Sequence, residues 1–336
     1  MAINFSGSSF VGTLADIIGF KCGVAVNYEE VIGILCKNGY DKFKNLREES
    51  WVRLHSSEFQ EIAEALMRSF GRLEKGYSPF PAVSMYHKYK NDPVRINIFY
   101  AVAEAYTEYM RLYINTEMKS GSKTLNPESL LYAIFKDHGE LGLEMMMELL
   151  EKVNAAVNGS VWSRVREIEF HNEIELKDLF QSEGLNSFYG NFFDQRYIDY
   201  LNANFEDIDV MHWRKFEQMT AQFLETQGYK VELGPGRNDD GVDVRAWCLD
   251  ALDKPPHLIV QCKRQKTSVD KVVVKALFAD VVHEGATSGL LVTTSQLAPG
   301  AEQTRSARSY PVGVADRATL KKWLGELRKP GLGDAR

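Results

Sequence analysis

The 336 residues, 44% hydrophobic and 26% charged, suffice for two or three separate cores and exclude a disordered chain. No apolar run approaches a bilayer span, and the opening MAINFSGSSF lacks the basic start and apolar centre of a secretion signal, so a cytoplasmic protein without membrane segments is expected. The net charge of −6 is unevenly spread: residues 211–336 hold 19 Lys and Arg against 15 Asp and Glu, and residues 1–210 hold 21 against 31, a balance that repels phosphates in the first part and tolerates them in the second.

Residues 1–208 read as an all-helical, acidic domain. Ser57 followed by Gln60 resembles a capping box ahead of Ile62, Ala65, Leu66 and Phe70. Gly76 to Pro81, with Pro79 and Pro81, is the clearest loop. Asp92 as cap and Pro93 in the first turn open a helix through Val94 to Met118. Asn126-Pro127 opens another through Leu130, Leu131, Ile134 and Phe135, and Leu141 to Val157 continues with Met145, Leu149 and Val153 on one side. The run Met145 to Met147 and the aromatics Tyr106, Tyr109 and Tyr113 fit helix packing. Cys22, Cys36, Cys248 and Cys262 lack CxxC spacing and the seven histidines lack paired ligand spacing, which leaves free thiols, no disulfide scaffold and no zinc cluster.

The pattern changes near residue 208. An amphipathic helix, Phe216 to Gln227, stops at Gly228. Short β-rich runs follow at Tyr229–Leu233, Val242–Cys248, Leu258–Lys263, Leu290–Thr294 and Val312–Ala315. Helix-forming stretches lie at Val272–Glu284, Pro299–Ala307 and Ala318–Arg328. Residues 209–336 are therefore expected to form an α/β domain, with a mixed central sheet flanked by helices and its early strands antiparallel.

Side chains alternate along Leu258–Lys263, so Leu258, Val260 and Cys262 suit a core and Gln261 and Lys263 end the opposite face. Asp243 stands 18 positions before Gln261, a hairpin distance, so an acid, an amide and a lysine are expected on one patch, with the Cys262 carbonyl between them. Cutting a phosphodiester calls for a hard cation held by one or two carboxylates and a carbonyl, with a lysine near the attacking water. Asp239 and Asp240 read as shaping the turn before Gly241, and Arg237, Arg264 and Lys266 are candidates for phosphate contacts.

The segment Asp239-Asp240-Gly241-Val242-Asp243, followed by Gln261-Cys262-Lys263, resembles the D-x-G-x-D…Q-x-K signature of Mrr-type restriction endonucleases of the PD-(D/E)xK nuclease superfamily. Phe216-Glu217 with Gly228-Tyr229, then Gly289 to Ser295 with Ala298 and Ala301, then Val312 to Leu324, resemble the same family's opening helix, later strand and helix, and closing elements, in order. The resemblance covers roughly a third of the chain. It implies a restriction-endonuclease-like fold that hydrolyses DNA with Mg²⁺ or Mn²⁺ and leaves 5′-phosphate and 3′-hydroxyl ends. Asp243 would be the principal metal ligand and Lys263 the catalytic lysine. Gln261 would replace the superfamily's second acid, and Glu217 would restore a carboxylate from the helix. A double-strand break needs two such sites, hence a homodimer or higher oligomer. The acidic helical domain would supply oligomerisation, recognition or regulation, and it offers a surface for a regulatory partner. It does not resemble the winged helix usual in the family, so recognition of methylated DNA is not carried over. A role in restriction or defence against foreign DNA follows from the resemblance.

Two other functions compete: a nuclease fold without catalysis, serving as a DNA-binding scaffold, and a ribonuclease. Arg166 and His171 have the R-x4-H spacing of HEPN ribonucleases, but with seven histidines about one such spacing is expected by chance.

Overall fold

A computed structural model describes residues 2–74, 77–116, 126–166, 168–185, 187–236, 241–329 and 334–335. The chain divides into two compact units, Met1–Arg72 with Glu167–Arg336, and Leu73–Arg166.

The first unit begins with β1 (Ala2–Ser6) and α1 (Gly7–Cys22), whose first turn is capped by Ser6 accepting from the Ser9 N–H at 3.2 Å. After β2 (Val24–Ala25), α2 (Tyr28–Lys37) opens on a reciprocal capping box between Asn27 and Glu30. β3 (Trp51–His55) pairs antiparallel with β1 and runs straight into α3 (Ser56–Ser69). This pair departs from the all-helical expectation: Val52 and Leu54 are buried in alternation along β3, a strand signal confined to five residues directly ahead of a helix. The capping box expected at Ser57 does not form: His55 caps α3, and Gln60 instead donates to Glu64 one turn on. Rings of Phe5, Phe10, Phe43 and Phe59 lie 4.9–6.4 Å apart in pairs and seal these helices together.

The second unit holds α4 (Pro81–Tyr89), α5 (Pro93–Asn115) and α6 (Glu128–Gly159). Pro81 closes the expected loop by taking the first turn of α4, a place where its missing N–H costs nothing. Asp92 caps α5 as expected, accepting from Val94 and Arg95 at 3.0 Å. The two helical stretches expected after Asn126 are continuous in α6 but broken at Gly139, whose φ of 62° and ψ of −156° only glycine takes readily. Met85, Phe99, Val102, Ile134, Met145, Met146 and Leu149 form the core, and Tyr106 and Tyr109 pack against it. Met147 instead faces solvent. Gly76 and Met118 lie outside the described residues.

The first unit resumes with β4 (Ile168–Glu169), β5 (Ile174–Glu175, parallel to β2), α7 (Asp178–Gln181) and α8 (Gln195–Ala203). Here Arg196 and Asp194 are both almost wholly buried and joined by two hydrogen bonds of 2.8 and 3.0 Å. The remaining guanidinium nitrogen reaches the carbonyls of Gly23 and Asn172, and the rings of Phe170 and Tyr189 flank the group. One charge pair thus ties three distant segments.

Next come α9 (Trp213–Thr226), β6 (Tyr229–Leu233), β7 (Val244–Cys248), β8 (Leu258–Lys263), α10 (Lys271–Glu284), β9 (Ser288–Thr293), α11 (Pro299–Ala307), β10 (Val312–Ala315) and α12 (Arg317–Leu327); a short β11 (Asp334–Ala335) pairs with β4. The five-stranded sheet has the order β10-β9-β8-β7-β6. Its β6–β7–β8 half is antiparallel and its β8–β9–β10 half parallel, the mixed sheet expected from the loop lengths. Ile259, Val274, Leu277, Val281 and Leu291 form the core under α10. Among the described residues, no helix is long and apolar enough to cross a membrane.

The compact units do not divide at residue 208. Segments on both sides of that position are fastened together: Arg328 donates to the Gly71 carbonyl at 2.8 Å, and Arg317 pairs with Asp209. α9 is the shared wall, buried continuously from Lys215 to Leu224 and not amphipathic in its environment. Its outer side is covered by residues 183–193, where Lys215 donates to the Gly184 carbonyl, Gln218 to the Glu183 carbonyl at 3.2 Å, and Gln222 accepts from the Phe192 N–H at 2.9 Å.

Candidate active site

Three elements meet at the ends of β7 and β8, beside the N-terminal half of α9. The chain leaves β6 through Gly234 and Gly236 and re-enters the sheet through Gly241, Val242 and Asp243. Gly234 donates to the Asp243 carbonyl at 2.8 Å, and a Cβ on Gly234 would lie 2.9 Å from the Val242 oxygen, so the loop backbone is pressed onto the strand start. Asp243 donates its own N–H to the Val260 carbonyl at 2.9 Å, although Val260 is already the register partner of Val244. Two residues of one strand thus face one residue of the other, the pattern of a β-bulge, which re-aims a side chain out of strict alternation. The aimed group is the Asp243 carboxylate, whose Oδ2 accepts from the Cys262 N–H at 2.6 Å.

Glu217 comes to the same place from α9. Only 5% of it is exposed, where a helix glutamate is ordinarily solvated. Its carboxyl is held well above the usual carboxylate range, by burial first. An ion pair with Arg214 at 2.8 Å opposes that rise, while the Asp243 carboxylate, both a like charge and a hydrogen-bond partner, reinforces it. The buried Cys262 thiol, 3.7 Å from the Thr220 hydroxyl, is raised by burial and then by the Asp243 and Glu217 carboxylates, with Lys263 acting in the opposite sense. The thiol therefore lies within the influence of Asp243, Glu217 and Lys263, the three charged groups expected to do the chemistry.

Gln261 is also buried, and its Oε1 accepts no hydrogen bond among the described residues. Its amide nitrogen would lie 3.0 Å from a Cβ at Gly241, a residue with a φ of 89°, so both space and backbone call for glycine there. The Lys263 backbone is fixed by the neighbouring strand: its carbonyl accepts from the Thr293 hydroxyl at 2.8 Å and the Thr294 N–H at 3.3 Å. Its side chain is half-buried and makes no ion pair among the described residues.

The candidate phosphate contacts fare differently. Arg264 turns inward and donates to the Asp209 carbonyl at 2.7 Å, which commits it to holding the 209 turn. Lys266 is exposed. Arg237, Asp239 and Asp240 lie outside the described residues. Arg166 and His171 fall in different compact units. Sequence reasoning missed Arg214, which stands three positions before Glu217, the spacing of neighbours on a helix face, and it missed Thr293 and Thr294. Among the described residues, no group of three or more His, Cys, Asp and Glu side chains gathers to hold a metal. Two carboxylates, an amide oxygen without a donor and a strand-end carbonyl are nonetheless a hard-cation donor set, since an ion such as Mg²⁺ retains several waters.

A family model described as a restriction endonuclease, Mrr_cat, matches residues 208–324. An uncharacterized protein, y4cE, of Sinorhizobium fredii is 31% identical over 116 residues, which is 34% of this chain and 29% of that protein. The chain thus spans less than a third of the length of this curated relative. A solved structure, the MspJI restriction endonuclease in complex with a 27-mer oligonucleotide, aligns with 56% of this chain and 40% of its own at 17% identity, with a TM-score of 0.28. On the family match, residues 208–324 are similar to restriction endonuclease domains of the Mrr type.

Proposed function

We propose that the chain is a divalent-metal-dependent DNA endonuclease that hydrolyses phosphodiester bonds in restriction or defence against foreign DNA. The observation that carries this is the burial of Asp243 and Glu217 against each other, with the unpaired Gln261 oxygen beside them on β8. Two like charges forced together out of water destabilise a fold unless a cation joins them. Asp243, Glu217 and the Cys262 carbonyl are the residues that would hold Mg²⁺ or Mn²⁺, and the ion supplies neutralisation of phosphate charge and a more acidic water.

The chain's own groups do the rest. Asp243 is aimed by the Cys262 N–H that its carboxylate accepts. Lys263 directs its ammonium at the attacking water or at charge developing on the phosphate oxygens, from a strand end pinned by Thr293. Gln261 orients the water through its free oxygen. Lys266 offers charge to the flanking phosphates, and Arg237 is a further candidate for such a contact, in a part of the chain with net positive charge. One site cuts one strand, so a double-strand break recruits a second copy. Residues 1–208 supply the recognition, oligomerisation or regulatory surface.

The test is to incubate wild type and Lys263→Ala with plasmid DNA and with labelled RNA, with Mg²⁺, with Mn²⁺ and with chelator, and to map the ends. DNA cleavage that needs metal and vanishes in Lys263→Ala is the expected outcome. DNA bound but uncut by wild type in every metal would make the domain a scaffold. RNA cleavage that survives Lys263→Ala and is lost in His171→Ala would make it a ribonuclease.

A further inference from the structure

One cation reaches the buried acid pair from outside the signature motif. Arg214 is 11% exposed in its side chain, and its two terminal nitrogens do different work. Nη1 donates to Glu217 Oε2 at 2.8 Å; Nη2 donates to the Gly234 carbonyl at 2.7 Å. Gly234 is the residue whose N–H holds the Asp243 carbonyl. The guanidinium therefore spans from the helix that carries one acid to the loop that delivers the other. Gly236, with a φ of 90°, lies directly on it: a Cβ there would stand 3.0 Å from Nη1 and 3.1 Å from Cζ. The Gly234-Pro235-Gly236 turn is thus shaped around this side chain, and a planar fork with two separately aimed donors is what the bridge requires.

We propose that Arg214 is the positioning residue of the site, setting the separation of Glu217 and Asp243 by bridging α9 to the Gly234–Gly236 loop, with no contact of its own to DNA. This rests on the nuclease function proposed above. Lysine in its place keeps the charge but has one head, so it pairs with Glu217 or with the loop and does not bridge them.

The experiment compares wild type, Arg214→Lys, Arg214→Met, Glu217→Gln and the Arg214→Met/Glu217→Gln double variant in the full chain. Plasmid cleavage is measured over DNA and Mn²⁺ concentration, and Mn²⁺ binding is measured by calorimetry. Arg214→Met is expected to lower kcat by about tenfold or more at saturating Mn²⁺ and DNA, to weaken Mn²⁺ binding, and to leave KM for DNA within about twofold. Arg214→Lys is expected to fall between wild type and Arg214→Met. In the Glu217→Gln background, Arg214→Met is expected to add little, because residues acting through one contact are non-additive. Full additivity, an effect confined to KM, or a folded Arg214→Lys equal to wild type overturns the proposal; that last comparison also decides the matter if Arg214→Met fails to fold. If wild type binds Mn²⁺ without cutting DNA and Arg214→Met weakens that binding, the nuclease function falls and the positioning role stands. If wild type neither binds nor cuts, both fall.

Discussion

Two clusters of buried charge, one at the start of α8 and one where α9 meets the β7 strand, are built on opposite principles. Around Asp194 and Arg196 every charge has its complement: a bidentate pair, two backbone carbonyls on the guanidinium and aromatic rings flanking it. Around Glu217 and Asp243 the charges are alike, and Arg214 answers for one of them. Burying an ion pair roughly cancels its desolvation cost, whereas burying like charges leaves a deficit. A folded protein keeps such a deficit where something binds. The first cluster is a fastener and the second a socket.

Substitutions separate the two. The largest effect is expected on activity: Lys263→Ala should lower metal-dependent cleavage of plasmid DNA by roughly 10²–10⁴-fold, with the urea midpoint nearly unchanged. Arg196→Ala should do the reverse. It removes the only cation paired with the buried Asp194 carboxylate among the described residues, leaving it backbone N–H donors alone, and empties two carbonyls, so about 3 kcal/mol of stability should be lost in urea denaturation. A loss under about 1 kcal/mol would erase the contrast between the clusters.

Glu217→Gln should sharpen it, by raising metal-free stability at neutral pH while weakening Mn²⁺ binding. The sign follows from the raised Glu217 carboxyl: the folded protein holds a proton that the unfolded chain has released. Stability is therefore greatest below the ordinary carboxylate range and declines as pH rises from there through the elevated folded value. Urea curves in chelator across that window should show the decline in wild type and a flatter profile in Glu217→Gln. Added Mn²⁺ should cancel the decline by favouring the ionised form. The smallest effect is expected at the rim: Lys266→Ala should weaken DNA binding uniformly across sequences and reduce the salt slope by about 1.

Much of the sheet was legible because its signals are local. The strands Tyr229–Leu233 and Leu258–Lys263, and the helix Pro299–Ala307, follow from alternation and turn residues, and all three have the expected bounds. Asp243, Gln261 and Lys263 could be named because short-range alternation and a family signature coincide. The aim of the Asp243 carboxylate could not be read, since a bulge is a local shift in pairing that leaves no period in the sequence. The burial of Glu217 was hidden for another reason. α9 has the pattern of a helix with one wet side, and the residues that dry it, 183–193, are an irregular loop some thirty positions upstream. The same long-range packing explains why a composition change near 208 does not mark a division between compact units.

That covering of α9 carries a cost for modularity. Lifting residues 208–324 out as a transplantable cutter would strip the Glu183–Phe193 wrapping from Lys215, Gln218 and Gln222, exposing the back of the very helix that bears Glu217. A working graft into another protein would have to take its upstream coat along, starting before Glu183 and reaching past Trp323, which stacks on Phe223 at 4.0 Å.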